Sequence, residues 1–288
     1  STVVHPMIAE AATQFNARAI AELYPSGGPV KTVIVGEPSE DLEEQAKRVK
    51  DYMNYQITQE MPEYFPDLDQ MLFQLPLVGH TFKKVWWDAN LDRQCSQFVK
   101  AEDFIVSPES KDLYTSSRYT HLIRIPRNDF NKYVKAGWYL PSKYSSEDID
   151  PSGDIGSEIE GVDPYGDSSD EVMTLLEMHV YESFEGIDSI DDDDENAVAL
   201  PYVVTIDYDS EKIVSIRRNW MQEDEQQKRR DWFVSYKFLP GTGFYGFGLY
   251  HMIGGLGKAA TGSLRALLDS AAFANMQGGF KLKGRVTG

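Results

Sequence analysis

Apolar residues recur at helical spacing near both ends of this 288-residue chain and at strand-like spacing between them. The 3.6-residue period predicts helices over residues 7–24, from 40 to about 61, over 67–77 and over 247–276. Ser39 is the predicted N-cap of the second helix, because its hydroxyl can accept a hydrogen bond from a free backbone N–H and several acidic residues follow it.

Shorter apolar runs between turn residues predict β-strands in the middle of the chain. We expect strands at residues 30–35, 81–87, 94–99, 104–106, 119–125, 173–181, 202–208, 213–220 and 232–239, with a short helix at 127–136. The expected fold class is therefore α+β. We expect three stretches: a helical region 1–78, a β-rich region 79–240 with an acidic insertion, and a long helix with an exit strand, 241–288.

The last predicted helix combines an apolar stripe, a polar stripe and several glycines. The polar stripe contains His251, Lys258, Arg265 and Asp269. The glycines are Gly254, Gly255, Gly257 and Gly262. Each glycine costs a helix about 1 kcal/mol relative to alanine. We therefore expect this helix to approach a neighbouring helix or chain closely, and the alternative is a loosely packed or bent core helix.

The negative charge of the chain is local. The net charge is −18, and residues 141–200 hold 19 acidic residues against the single base Lys143. The remaining residues carry equal numbers of acidic and basic side chains. Because phosphate contacts need Lys and Arg, this charge pattern excludes binding of nucleic acid by bulk attraction. The sequence contains no apolar run long enough to span a bilayer and no signal peptide at its start, so we expect no membrane association.

The residues that carry chemistry form no catalytic pattern. The single cysteine, Cys95, excludes an internal disulfide framework and a cysteine metal cluster, and the five histidines are scattered. We therefore expect neither enzymatic activity nor a cofactor. Two weaker motifs remain as candidate binding sites, one for a nucleotide and one for Ca²⁺. Gly241–Gly246 matches G-x-G-x-x-G, although bulky rings lie inside it and little chain follows. Acidic loops offer oxygen ligands for Ca²⁺ at Asp188, Asp191, Asp193, Asp207, Asp209 and Glu211, without the pattern of an EF-hand.

Several long segments of the sequence resemble the portal proteins, the head-to-tail connectors, of tailed bacteriophages, above all those of short-tailed phages. The longest segment is Trp232–Gly246 (WFVSYKFLPGTGFYG) with its continuation to Thr261. The others are Gln14–Tyr24, Tyr52–Ile57 and the stretch from Met61 to Val85. The resemblance covers most of the chain, and the acidic region 141–200 matches least.

The resemblance implies a subunit of a homo-oligomeric ring, a dodecamer in most of the family, at one vertex of the virion capsid. DNA is packaged and ejected through such a ring, which is assembled in the host cytoplasm with capsid and scaffold proteins. It docks the terminase and later the tail adaptor, or head-completion protein, and double-stranded DNA passes through it without sequence recognition. The resemblance also implies a helical wing, a clip within residues 79–240 and a longer natural chain, of which this sequence is a fragment.

We expect contacts to the channel or to neighbouring subunits at a few positions of the C-terminal stretch. These positions are Lys258, Arg265, Gly257, Gly262, Lys281 and Lys283. The basic residues would make weak phosphate contacts or inter-subunit ion pairs, and the glycines would permit close packing. The alternative from another functional class is an acidic adaptor or scaffold domain that binds only protein partners. A third alternative is a nucleotide-binding enzyme that uses Gly241–Gly246.

Overall fold

The computed structural model describes residues 2–89, 91–142, 172–184 and 198–275. Within these residues the fold is α+β, as the sequence predicts, with antiparallel sheets. The described helices do not include one that is both long enough and apolar enough to cross a membrane.

The chain divides into two compact units. The first, which we call the helical unit, comprises Ser1–Thr81, Tyr236–Gly241 and Tyr245–Gly288. The second, the β unit, comprises Phe82–Ser235 and Thr242–Phe244. The long C-terminal helix thus belongs to the same unit as the N-terminal helices.

The helices begin and end close to the positions that the sequence predicts. They are α1 (Met7–Leu23), α2 (Glu40–Tyr55), α3 (Tyr64–Val78), α4 (Arg127–Lys135) and α5 (Leu249–Asn275). Helix α2 continues as a π-helical turn, Gln56–Glu60. The predicted cap is confirmed, because the Ser39 hydroxyl accepts a hydrogen bond from the Leu42 N–H at 3.4 Å.

The predicted strand at residues 30–35 is wrong. Val33 and Val35 are 85% and 97% exposed, so this apolar run buries little surface. The backbone N–H and carbonyl of Val30 bond instead to the side-chain amide of Asn54, at 2.9 and 3.2 Å. A side chain thus satisfies the polar groups that a neighbouring strand would otherwise have bonded.

The core of the helical unit lies where α1, α3 and α5 pack against one another. Ala12 of α1 is fully buried, and α3 contributes Leu68, Met71, Leu72 and Leu75. Gly79 ends α3 in the left-handed conformation, with φ of 94°. A side chain at Gly79 would collide with the backbone of Phe247 and Gly248, so glycine permits the chain before α5 to lie against the end of α3.

The β unit is built from two antiparallel sheets. The strands are β1 (His80–Asp88), β2 (Arg93–Val99), β3 (Phe104–Val106), β4 (Arg118–Pro126), β5 (Val172–Glu182), β6 (Leu200–Asp207), β7 (Lys212–Arg218) and β8 (Phe233–Lys237). Five strands form one sheet in the order β3-β4-β5-β6-β7, and three form the other in the order β2-β1-β8.

Aromatic side chains form the centre of the β unit. Phe82 and Phe104 stack with ring centroids 4.2 Å apart, and Phe233 and Tyr119 lie 4.8 and 5.5 Å from Phe104. Phe244, from the glycine-rich loop, is also buried in this cluster. Such clusters contribute strongly to core stability because each ring removes a large apolar area from water.

Candidate functional site

Residues before α1 lie along α5 and are held there by hydrogen bonds. Arg265 Nε donates to the Val3 carbonyl at 2.8 Å, and the His5 N–H donates to Thr261 Oγ1 at 3.1 Å. Arg265 was expected at the channel or a subunit contact, and in this chain it anchors the N-terminal segment to α5. The guanidinium has further N–H groups that could still donate to a phosphate or to a neighbouring subunit.

A groove of about 720 Å³ lies in the helical unit, and its walls come from the N-terminal segment, α1, α3 and α5. Lys258, Gly257 and Gly262 all line it. A Cβ on Gly257 would lie 3.6 Å from the Ile8 side chain, which is ordinary contact with the neighbouring helix α1. A Cβ on Gly262 would meet nothing within 4 Å. Lys281 and Lys283 lie outside the described residues.

Helix α5 also carries exposed apolar side chains. Leu256 and Leu267 are 63% and 68% exposed, and Met252 and Phe273 are exposed as well. Met252, Leu256 and Leu267 are four and eleven residues apart, a spacing that returns to one side of an α-helix. We call these three residues the exposed stripe of α5. A stripe of this kind on a long helix is typical of a surface that binds protein.

A cluster of ionisable side chains lies inside the β unit around Glu177. The Glu177 side chain on β5 is 6% exposed, and its Oε1 lies 2.6 Å from Lys84 Nζ of β1. The second oxygen, Oε2, lies 3.5 Å from Arg217 Nη2 of β7. His179 and His121 place ring nitrogens 3.3 and 4.0 Å from Oε1. The cluster thus joins both sheets through one carboxylate.

Glu177 is ionised in this setting. Burial alone would raise its pKa, but the charge of Lys84 and the hydrogen bond from His179 outweigh burial and hold the pKa well below its ordinary value. A carboxylate with a lowered pKa is a weak proton acceptor, so Glu177 is poorly suited to general base catalysis. The arrangement favours charge pairing and ligand binding.

The two histidines of the cluster are neutral. Burial, reinforced by the charge of Lys84, lowers the pKa of His121 to about 3. Burial also lowers the pKa of His179, although Glu177 opposes this change. A neutral His179 that donates to Glu177 through Nε2 accepts at Nδ1, where the Asn219 amide nitrogen lies at 3.5 Å. Asn219 Oδ1 accepts in turn from Trp232 Nε1 at 2.6 Å.

The sequence analysis missed this cluster, although the strand period contains a signal for it. Met173, Leu175, Glu177 and His179 alternate with more exposed residues along β5, and all four are buried. The period of two therefore places Glu177 and His179 on the same face as two core residues. An acidic residue at such a position predicts a buried partner of opposite charge.

The two open motifs have structural roles in the described residues. In the Gly241–Gly246 loop, Phe244 is a core residue, and a side chain on Gly246 would collide with the Gly79 carbonyl. Of the Ca²⁺ candidates, Asp207 is buried and its Oδ2 accepts bonds from Ser142 and Ser210, both at 2.6 Å. The described residues contain no group of three metal-ligating side chains, and Asp188, Asp191 and Asp193 lie outside them.

Comparison with known proteins adds no family: no family model matches the chain, and none of the curated proteins matches it.

Proposed function

We propose that this chain is a subunit of a bacteriophage portal, a homo-oligomeric ring at one capsid vertex through which double-stranded DNA is packaged and ejected. The observation that carries the proposal is that several long segments resemble portal proteins and occur in the same order along the chain. These segments lie in α1, at the end of α2, over α3 and the first part of β1, and in the run from β8 into α5. In this role the ring docks terminase and the tail adaptor, contacts capsid and scaffold proteins, and performs no catalysis.

The exposed stripe of α5 supports an oligomer. Full burial of one leucine side chain contributes about 1.5–3 kcal/mol, and a single chain leaves most of Leu256 and Leu267 in water. A neighbouring copy that covers the stripe would recover this free energy at every subunit interface of a closed ring. Gly262 lines the groove on another side of α5, where a Cβ would meet nothing within 4 Å, so this side also leaves room for a neighbouring backbone.

The charge distribution supports passage of DNA without tight binding. Outside residues 141–200 the acidic and basic side chains balance, so the chain carries no net positive charge that would hold phosphates by bulk attraction. Lys258 is exposed on α5 and is suited to a weak phosphate contact or an ion pair with a neighbouring subunit.

The proposal is tested by the mass of the native particle, followed by negative-stain imaging. We expect a closed ring whose mass is a multiple of the 32.6 kDa chain, with a central hole. Leu256→Glu and Leu267→Glu should prevent ring formation, because each places a charge at an apolar contact. Both residues are exposed, so the variants should fold normally.

Val49→Glu on α2 is the matched control, because it places the same charge at another exposed apolar position of the helical unit. This variant should still form rings. Rings that persist in both leucine variants would exclude the exposed stripe as the subunit contact. A chain that remains monomeric at all concentrations would contradict the portal proposal and favour the adaptor alternative.

A further inference from the structure

The β unit contains a cavity of about 340 Å³ with aromatic walls. This volume lies in the range of small-molecule sites. Its lining includes Trp86, Tyr133, Trp138 and Tyr139, and Trp232 also faces it. Tyr133 and Trp138 stack on each other with ring centroids 5.7 Å apart and planes 16° apart. Such walls favour a flat ligand, because an aromatic ring gains contact area and offset stacking with each of them.

The lining holds three basic residues, Lys84, Arg124 and Arg217, against two carboxylates, Asp88 and Glu177, and so favours an anion over a cation. Lys84 Nζ already pairs with the Glu177 carboxylate and lies 5.8 Å from the Trp86 ring centroid. The carboxylate and the ring thus both have a cation from the chain itself. A ligand ammonium would meet the positive charges of Lys84 and Arg217 there. An aromatic cage for cations is therefore excluded as the role of this cavity.

Two arginines of the lining keep hydrogen-bond donors for a ligand. The Arg217 side chain is 49% exposed, and its 3.5 Å distance to Glu177 is longer than a good hydrogen bond. The Arg124 side chain is 56% exposed and makes one 2.7 Å contact, from Nη1 to Asp103. A guanidinium has five N–H donors in a planar fork that matches carboxylate and phosphate.

We propose that this cavity binds a planar aromatic anion, a ring that bears a phosphate or a carboxylate. The ring lies against Trp86, Tyr133 and Trp138, and the anionic group pairs with Arg217, supported by Arg124. Glu177 lies 3.5 Å from Arg217 and is itself paired with Lys84 at 2.6 Å, which leaves the guanidinium available to the ligand. The site needs no second subunit to be complete, because every residue named belongs to the β unit of one chain.

Tryptophan fluorescence and calorimetry test the proposal with adenosine 5′-monophosphate, thymidine 5′-monophosphate and 2-aminobenzoate as probes. The chain has five tryptophans, and Trp86, Trp87, Trp138 and Trp232 line the cavity, so a bound ring should change their emission. We expect saturable binding of at least one probe. The two nucleotides and the benzoate distinguish phosphate from carboxylate as the anionic group.

Arg217→Ala should weaken binding by about tenfold or more, the loss expected for a hydrogen bond to a charged group. Arg218→Ala is the matched control, since Arg218 is the next residue of β7 and is absent from the cavity lining. It should leave the affinity unchanged. Adenosine and inorganic phosphate should each bind at least about tenfold more weakly than the best probe, because each lacks one of the two features.

Three results would overturn the proposal. They are the absence of saturable binding for all three probes, equal affinity in the Arg217→Ala variant, and inorganic phosphate binding as tightly as the aromatic probes. Circular dichroism of each variant shows whether the fold is retained. Trp138→Ala is a second test, and it should also weaken binding, because the proposed ligand ring lies against Trp138. Trp138 is 44% exposed, so its loss leaves the core intact.

Discussion

Lys84 of β1 and Glu177 of β5 join the two sheets of the β unit through a 2.6 Å contact between Nζ and Oε1. Both side chains are largely buried, so each charge depends on the other for compensation. Two histidines also lie beside the same carboxylate: His179 on β5 itself, and His121 on β4, which is paired with Glu177 in the sheet register. One buried acid therefore organises four side chains from different strands.

Removal of one partner of this pair should strongly destabilise the β unit. Lys84→Met leaves Glu177 buried without its main counter-charge, and we expect a loss of about 3–5 kcal/mol in the free energy of unfolding. Denaturant unfolding followed by tryptophan fluorescence measures this loss. All five tryptophans lie in Phe82–Ser235, so their emission reports on the β unit alone.

Glu182→Gln is the control for that experiment, because Glu182 is an exposed acid on the same strand as Glu177. It should change the free energy of unfolding by no more than about 0.5 kcal/mol. The double variant Lys84→Met with Glu177→Leu should recover much of the stability, since it removes both charges together. Equal stability of Lys84→Met and the unmodified chain would mean that Glu177 is compensated elsewhere.

The stability of the β unit should fall as the pH drops below about 6.5. The folded chain keeps His121 neutral, with a pKa of about 3, whereas an unfolded histidine has a pKa of about 6.5. Between these values the unfolded state binds one more proton, and each pH unit should cost about 1.4 kcal/mol. His179 acts in the same direction because its pKa is also lowered.

The His121→Gln variant measures the contribution of that histidine to the pH dependence. Its plot of unfolding free energy against pH should be less steep between about pH 6 and pH 4, by about 1.4 kcal/mol per pH unit. Glu177 adds a further loss below about pH 4, because its pKa is lowered in the folded chain and the unfolded state therefore binds the proton first. An unchanged slope in the variant would show that His121 takes up a proton in the folded chain.

Gly79→Ala should destabilise the helical unit more than Gly36→Ala. Both glycines have positive φ, 94° and 107°, which costs alanine about 1–2 kcal/mol. Only at Gly79 would the new methyl group also meet the backbone of Phe247 and Gly248, whereas Gly36 faces open space. Circular dichroism at 222 nm follows unfolding of the helices. Equal losses in the two variants would show that backbone strain alone matters at Gly79.

The sequence alone predicted the helices and strands that have strong periodicity or clear caps. Helix α2 begins where Ser39 predicts, and strands β1, β2, β6 and β7 lie close to their predicted positions. The predicted strand at residues 30–35 failed, because an apolar run becomes a strand only where another strand covers it. Here the side chain of Asn54 bonds the backbone instead.

The long glycine-containing helix was also predicted from the sequence, but the contacts that its glycines and Arg265 make within the chain were not. Gly257 faces α1, Gly262 faces open space, and Arg265 holds the Val3 carbonyl. These differences depend on which surfaces the fold brings together, and helical spacing does not contain that information.

Local patterns in the sequence determined the α+β class, most element boundaries and the concentration of acid in residues 141–200. Each of these depends on residues close together in the chain. Lys84 and Glu177 are 93 residues apart in the sequence, and only the tertiary structure brings Lys84 Nζ to 2.6 Å from Glu177 Oε1. The same pairing of distant strands created the aromatic cavity, because the positions of its walls depend on sheet order and register.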